Sequence, residues 1–197
     1  RVNLFRKATG VGACFRFIPT EVPSLDKLNL PPVLQRICDH HQGMVLVTGS
    51  TGTGKSTTLA AMIDYLNRKR NLNIISLEDP IEFVHQSYKS QVVQRELGTH
   101  LPSFADGIRA ALREDPDVIL VGEMRDADTI SMAMTAAETG HLVFGTLHTT
   151  GAVKTIDRII DALPSDQREQ SKSFLAQSLR AVISQNLIKT PDGKGRR

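Results

Sequence analysis

The chain has 197 residues, of which 40% are hydrophobic and 23% are charged, and its formal net charge is +3. This is ordinary globular composition with enough length for a sizeable core, so we expect one domain with a small appendage. This small positive charge gives only weak support for a nucleic-acid partner. No apolar run approaches the roughly 18 residues that a membrane span needs, and the first residues lack the apolar segment of a signal peptide. We therefore expect a cytoplasmic protein without direct membrane insertion.

The cysteines and the two ends of the sequence give two further expectations. Cys14 and Cys38 form no CxxC pair, which argues against a zinc site and a disulfide framework, and we expect both to be buried as small hydrophobic residues. The chain begins without a methionine and stops on a basic tail, so we expect it to be part of a longer protein.

The first 32 residues suggest a hairpin followed by a linker. Residues 1–18 alternate loosely between apolar and polar positions around the turn-forming stretch ATGVGA, which predicts a β-hairpin. Residues 17–32 contain four prolines, which disfavour regular structure. We place a linker at residues 19–32 and the main domain at residues 33–197.

In the main domain, short apolar runs alternate with helical patterns. The runs MVLVT, NIISL, DVILVG and HLVFGT predict strands that are buried on both faces. The helical stretches are KSTTLAAMIDYLNRK, SFADGIRAALRED opening on Ser103, DADTISMAMTAAET, and a last helix from about Ser165 to Ile188. This alternation predicts an α/β fold with a mainly parallel sheet between helices.

The stretch GSTGTGKST, residues 49–57, fits the pattern G-x-x-x-x-G-K-[ST] between a strand and a helix. In such a loop, glycines let backbone N–H groups approach phosphates, the lysine contacts phosphate oxygens and the serine hydroxyl ligates Mg²⁺. The alternative is a glycine-rich turn before an ordinary helix. The predicted nucleotide-binding residues are Gly49, Ser50, Thr51, Gly52, Thr53, Gly54, Lys55, Ser56 and Thr57, with Ser56 also a metal ligand.

Hydrolysis also needs carboxylates, and two groups of them follow other predicted strands. Glu78 and Glu82 lie just past NIISL, and Glu123 lies just past DVILV. Ligands collect at the carboxyl ends of parallel strands, so either Glu82 or Glu78 could orient water while Glu123 takes the metal-side position of a Walker B motif. The alternatives are a solvated acidic loop and, for Glu123, an ion pair with Arg125. The order of these strands leaves room for an inserted strand, as in RecA-like ATPases.

Histidines flank the last predicted strand, His141 before it and His148 after it. His148 could sense a terminal phosphate through a hydrogen bond, whereas a satisfied structural histidine is the alternative for both. The roles of Arg109, Arg113 and Arg125 stay open, and spacing favours pairing with nearby carboxylates on helices.

Four stretches together resemble a known family. They are GSTGTGKSTTLAAMIDYLN, ISLEDPIEFVH, ALREDPDVILVGEMRD and TAAETGHLVFGTLHTT. In order and spacing they resemble the Walker A motif, Asp box, atypical Walker B motif and His box of the secretion ATPases of the type II secretion and type IV pilus superfamily. Within it, the pilus retraction ATPases, which drive twitching motility, are the most similar. The resemblance extends over nearly the whole chain.

The resemblance implies roles for individual residues. Glu82 would be the catalytic base and Glu123 the Walker B acid, which holds Mg²⁺ partly through water. His141 and His148 would be the His-box residues with catalytic roles.

It also implies an architecture. A RecA-like P-loop motor domain would follow a PAS-like amino-terminal domain, of which residues 1–18 are the carboxyl-terminal end, and the carboxyl-terminal part of the motor domain would lie beyond this sequence. Arg1 and Arg16 would match arginines that approach the nucleotide from a domain or subunit boundary. The protein would form a homo-hexamer that uses ATP and Mg²⁺ and would lie at the cytoplasmic side of the inner membrane, against a platform protein of the pilus.

The direction of the motor follows from a comparison within the family. Assembly and type II secretion relatives usually carry a four-cysteine metal module, and this sequence has no cysteine after Cys38, which favours retraction. The alternatives are another secretion or pilus-assembly ATPase, a nucleotide-binding module without hydrolysis, and a RecA-like DNA-translocating motor. With two tyrosines and no tryptophan, the chain offers no stacking platform for nucleic acid, so we expect no nucleic-acid partner.

Overall fold

The computed structural model describes residues 2–19, 21–191 and 195. At the amino terminus, β1 (Val2–Lys7) and β2 (Gly10–Phe15) pair antiparallel and confirm the predicted hairpin. Nearly every residue of both strands is exposed. Cys14 lies on β2 and is exposed, so the expectation that it is buried was wrong, because this hairpin has solvent on both faces; Cys38 is buried as expected.

Within the described residues, six strands form a central sheet in which all neighbouring pairs are parallel. The strands are β3 (Gly43–Thr48), β4 (Asn73–Glu78), β5 (Gln91–Glu96), β6 (Val118–Val121), β7 (Leu142–Leu147) and β8 (Leu179–Ser184). Their order across the sheet is β5-β4-β6-β7-β3-β8. The α/β fold with a parallel sheet is therefore confirmed, and the inserted strand between β3 and β6 is β7.

Helices cover both faces of this sheet. They are α1 (Val33–Cys38), α2 (Lys55–Lys69), α3 (Phe104–Ala111), α4 (Ala127–Glu138), α5 (Ala152–Ala162) and α6 (Arg168–Ser178), with a 3-10 turn at Ser165–Gln167. Successive strand residues point to opposite faces. Leu46 accordingly packs in the core under α3 to α6, whereas Val45 and Val47 pack in the core under α1 and α2.

The predicted helix from Ser165 to Ile188 was wrong in its second half. Helix α6 ends at Ser178, and the chain continues as β8 on the edge of the sheet. Val182 and Ile183 lie opposite Leu46 and Val47 of β3. Because β-branched side chains suit a pleated surface, pairing with β3 prevails here over the helical spacing.

Two elements had not been predicted from the sequence. Strand β5 has the polar sequence QVVQRE, yet it pairs with β4 along its whole length. Helix α5 packs Ile159, which is fully buried, into the core below α6.

The described residues of the proline-rich segment, 17–19 and 21–32, form neither helix nor strand, as predicted, but part of the segment packs on the main domain. Leu25 is 4% exposed and belongs to the core under α1 and α2. The Leu30 N–H donates to the carbonyl oxygen of Leu25, which closes a turn. Among the described residues, no helix combines the length and the apolar character that crossing a membrane requires.

Candidate functional site

The glycine-rich loop connects β3 to α2 and leaves the start of that helix open to an anion. Gly54 is the N-cap of α2, in the left-handed conformation with φ of 91°, and no side chain accepts a hydrogen bond from the first turn. The first amides of a helix have no partner within the helix, and they carry the positive end of its dipole. These amides and the loop around them therefore form a cradle for phosphate oxygens.

Lys55 lies over this loop. Lys55 is 9% exposed, and its Nζ donates to the carbonyl oxygens of Gly49 at 2.9 Å and Ser50 at 3.1 Å. Burial lowers the pKa of Lys55, and the charges of Glu123 and Glu82 oppose that shift. A buried ammonium group between two carboxylates and a phosphate cradle is suited to bind a phosphate oxygen.

Glu123, which follows β6, forms the second wall of the site. Its Oε1 lies 2.7 Å from Nε2 of His148, and Arg125 pairs with the same carboxylate. Burial opposes ionisation of Glu123, but Arg125 and His148 outweigh it, so the pKa of Glu123 is lowered. Because β6 and β7 are neighbours in the sheet, the contact joins the ends of adjacent strands.

The loop after β4 forms the third wall and distinguishes Glu82 from Glu78. Oε1 of Glu78 accepts hydrogen bonds from Ser76 at 2.7 Å and from Gln94 at 2.9 Å, and burial raises its pKa. The Glu82 side chain is 42% exposed and lies 4.0 Å from Nη1 of Arg16. The two carboxylates thus differ: Glu82 is partly exposed and lines the cleft beside Arg16, whereas Oε1 of Glu78 already accepts two hydrogen bonds.

These walls enclose a cleft of about 690 Å³, which is within the range of small-molecule sites. The predicted residues that line it are Arg16, Thr51, Gly52, Gly54, Lys55, Ser56, Thr57, Glu82, Glu123 and His148. Gly49, Ser50 and Thr53 shape the loop from behind, where the Thr53 hydroxyl donates to the Ser50 carbonyl at 2.8 Å. The carboxyl ends of β3, β4, β6 and β7 thus bring these residues together.

The predicted residue His141 does not line this cleft. It precedes β7, so it lies at the opposite edge of the sheet from His148, roughly 23 Å away along the extended chain, as expected of two histidines that flank one strand. Its Nδ1 lies 2.9 Å from the carbonyl oxygen of Ala136, near the end of α4. A catalytic role for His141 stays a prediction. Arg1 lies outside the described residues.

The arginines whose roles the sequence left open differ in their contacts. Arg125 lines the cleft and pairs with Glu123, so it belongs to the site. Arg109 pairs with Asp106 on α3. Glu114, a predicted helical partner, instead pairs with Arg95 of β5 at 2.8 Å.

The residues of the cleft that the sequence analysis did not assign to the site include Thr146 and Leu187. Thr146 is the penultimate residue of the buried strand β7, and its hydroxyl donates to the carbonyl oxygen of Gly122. Its position at the end of the predicted buried run HLVFGT was a usable signal. No local signal in the sequence indicated that Leu187 belongs to the cleft, because its spacing placed it in the predicted last helix.

The residues of the cleft fit Mg²⁺ together with a phosphate. Among the described residues, no group of three or more His, Cys, Asp or Glu side chains could hold a metal by itself. Mg²⁺ prefers oxygen ligands and usually keeps several waters beside one or two protein groups and substrate phosphates. Ser56 and Glu123 supply a hydroxyl and an ionised carboxylate of this kind.

Comparisons with known proteins show which proteins this chain is similar to. Residues 24–196 match the family model described as type II/IV secretion system protein. A twitching motility protein of Neisseria gonorrhoeae is 62% identical over 196 residues, which cover 100% of this chain and 52% of that protein. A type IV pilus retraction ATPase, PilT, of Pseudomonas aeruginosa is 56% identical over 98% of this chain and 56% of its own length.

A solved structure is similar over the whole fold. The crystal structure of the pilus retraction motor PilT with bound ADP superposes with a TM-score of 0.96 at 52% identity, and the match covers 100% of this chain and 57% of that one. The chain thus spans about half the length of the proteins it matches. From the family model, these identities and the shared fold, we conclude that the chain belongs to the type II/IV secretion system protein family.

Proposed function

We propose that this chain is the nucleotide-hydrolysing part of a type IV pilus retraction ATPase. The observation that carries the proposal is the convergence of Lys55, Glu82, Glu123 and His148 on one cleft at the ends of four parallel strands. The names of two relatives support the same activity, since a twitching motility protein matches over 100% of the chain and a pilus retraction ATPase over 98%. The ADP in the PilT structure supports a nucleotide as the ligand.

In this proposal each wall of the cleft has one task. The loop amides and Lys55 hold the phosphates of ATP, while Ser56 and Glu123 hold Mg²⁺, the latter partly through water. The metal would neutralise charge that develops on the phosphates. Glu82 accepts a proton from the attacking water, because its carboxylate is partly exposed and lines the cleft beside Arg16.

His148 and Arg125 orient the Glu123 carboxylate in this scheme. His148 Nε2 and Arg125 Nε both contact Oε1 of Glu123, and Arg125 Nη2 donates to Oε2, so these contacts favour one orientation of the carboxylate. Such second contacts position a metal-side acid more closely than the backbone alone would. His148 also stands near enough to the cleft to respond to a terminal phosphate.

The wider assembly is part of the same proposal. Residues 1–18 would be the end of a PAS-like domain, residues 19–32 the linker and residues 33–197 the motor domain of a homo-hexamer. Arg16 reaches the cleft from the hairpin side and lies beside Glu82, which is the arrangement expected of an arginine at a domain boundary. The hexamer would act in the cytoplasm against a platform protein of the inner membrane.

The experiment is a comparison of variants in the full-length protein. Glu82→Gln should lower the steady-state rate of ATP hydrolysis by at least about a hundredfold. The affinity for Mg-ATP should stay within about threefold of the parent, since only the proton acceptor is lost. Lys55→Ala is the control that should lose binding as well. Hydrolysis at the parental rate by Glu82→Gln would show that another group is the base.

A second measurement concerns the direction of work. In a pilus-bearing host whose retraction ATPase gene is deleted, the full-length protein should restore twitching and the Glu82→Gln variant should not. Restored pilus assembly without restored twitching would point to an assembly ATPase instead.

A further inference from the structure

The loop that carries Glu82 has little structure of its own. It runs from residue 79 to residue 90, between β4 and β5, and contains neither helix nor strand. The Glu82 side chain is 42% exposed, so packing around that side chain does not hold it in place. The position of Glu82 therefore depends on the contacts that hold the loop.

One side chain, Gln94 of β5, contacts this region at three points. Its Nε2 donates to Oε1 of Glu78 at 2.9 Å and to the carbonyl oxygen of Phe83 at 2.8 Å. Its Oε1 accepts the N–H of His85 at 2.8 Å. Gln94 thus joins the end of β4, the residue after Glu82 and a third point further along the loop.

The chemistry of these three contacts requires an amide at position 94. Both partners of Nε2 are acceptors and the partner of Oε1 is a donor, which also determines the orientation of the amide. A carboxylate has no donor for Phe83 and would add a second negative charge beside Glu78. An apolar side chain of the same length would leave all three groups without this partner, which is costly for buried polar groups.

A neighbouring contact adds to the support of the loop. Oε2 of Glu96, also on β5, accepts the N–H of Ile81 at 3.1 Å. Together with the bond from Gln94 to the Phe83 carbonyl oxygen, this contact ties the residues on both sides of Glu82 to β5.

We propose that Gln94 is a positioning residue for ATP hydrolysis, which places Glu82 against the cleft by bonding Glu78, Phe83 and His85. This inference rests on the proposed function, in which Glu82 is the base. It also gives a reason for a polar strand at the edge of the sheet: β5 supplies the side chains that hold the catalytic loop.

The test uses Gln94→Met in the full-length protein, because methionine keeps the length of glutamine and removes the amide. Gln91→Met is the matched control, since Gln91 lies on the same strand with an exposed side chain. We expect kcat of Gln94→Met to fall about 10- to 100-fold, because a displacement of about 1 Å in a catalytic group has effects of this size. KM and the affinity for Mg-ATP should change by less than about twofold, and Gln91→Met should match the parent.

A double variant separates positioning from general loosening of the fold. In a Glu82→Gln background, Gln94→Met should lower the residual rate by less than about twofold, because the group it positions is already gone. If the two losses multiply, Gln94 does not act through Glu82. A parental kcat for Gln94→Met would also overturn the inference, and so would a rise in KM as large as the fall in kcat.

Two further measurements keep the outcomes distinct. If Gln94→Met does not yield folded protein, Gln94→Asn keeps the amide on a shorter side chain, and an unchanged kcat in that variant would then count against the inference. Hydrolysis at the parental rate by Glu82→Gln would refute the assignment of the base. An inactive Glu82→Gln beside a fully active Gln94→Met would refute only the role of Gln94.

Discussion

Gly49 offers a sharp test of how the phosphate-binding loop is built. It follows β3 with φ of 144°, a conformation that alanine rarely adopts. A methyl group at this position would lie 2.4 Å from the carbonyl oxygen of Gln185 and 2.7 Å from Oγ1 of Thr53. The Gln185 segment cannot move away freely, because its N–H donates to the Thr48 carbonyl at 2.8 Å.

The size of the effect of Gly49→Ala follows from these contacts. A carbon and a carbonyl oxygen normally approach to about 3.3 Å, so the substitution must separate the loop and the Gln185 segment by roughly 0.9 Å. Backbone strain of about 1–3 kcal/mol and overpacking of a similar size add to about 2–6 kcal/mol. For a domain of this length, that loss lowers the thermal midpoint by roughly 4–24 °C.

The assay compares Gly49→Ala with Gly52→Ala by thermal unfolding of the full-length protein, followed by calorimetric or fluorescence measurement of ADP binding. Gly52 lies in the same loop with φ of 80°, and a methyl group there would have no atom within 4 Å. Gly52→Ala should therefore carry the backbone strain without the overpacking, so its thermal midpoint should stay above that of Gly49→Ala. If both variants unfold at the same temperature, the steric reasoning about Gly49 is wrong.

Three further predictions concern charge, thiol reactivity and packing. Because Arg125 and His148 hold the pKa of Glu123 below its ordinary value of 4.5 despite burial, the stability from this carboxylate is present above the unfolded pKa and is lost as pH falls through the folded pKa. Arg125→Ala should raise the folded pKa toward or above the unfolded value, so the thermal midpoint should fall less between about pH 7 and about pH 3 than it does in the parent; an equal or larger fall would contradict this. Burial raises the pKa of Cys38 to about 12, so peptide mass spectrometry after alkylation at about pH 8 should find Cys14 modified and Cys38 intact, and equal labelling would contradict the burial of Cys38. Phe144→Ala, at a fully buried position, should lower the free energy of unfolding by about 3–5 kcal/mol in denaturant titrations, whereas Phe17→Ala, at a position 96% exposed, should change it by less than about 0.5 kcal/mol; similar losses would refute the core assignment.

Much of the site could be predicted because its signals are local. The run MVLVT followed by GSTGTGKST specifies a buried strand, a loop and a helix start within a short stretch, and the structure forms these elements. Glu123 and His148 were found because each follows a continuous apolar run, and parallel strands place such ends at one edge of the sheet. In helix α5, Ile156, Ile159 and Ile160 have helical spacing, so that element was missed although its signal was present.

Other features had no local signal. In β8, Leu179, Val182 and Ile183 fit a helical spacing as well as a strand, and the partner that decides between them, β3, lies far away in the sequence. In β5, the polar residues gave no apolar run, since the side chains of Gln94 and Glu96 bond to the loop of Glu82 instead of packing in a core.

The sequence by itself determined the phosphate-binding loop, the strands with continuous apolar runs and the identity of the residues at their carboxyl ends, because glycine geometry and side-chain periodicity act over a few neighbouring residues. The tertiary structure alone decided that His148 meets Glu123, and that Glu82 lines the cleft while Glu78 is held by Ser76 and Gln94. The reason is that these outcomes depend on which strands become neighbours and on which buried polar groups find partners, and both are settled between segments that are distant in the chain.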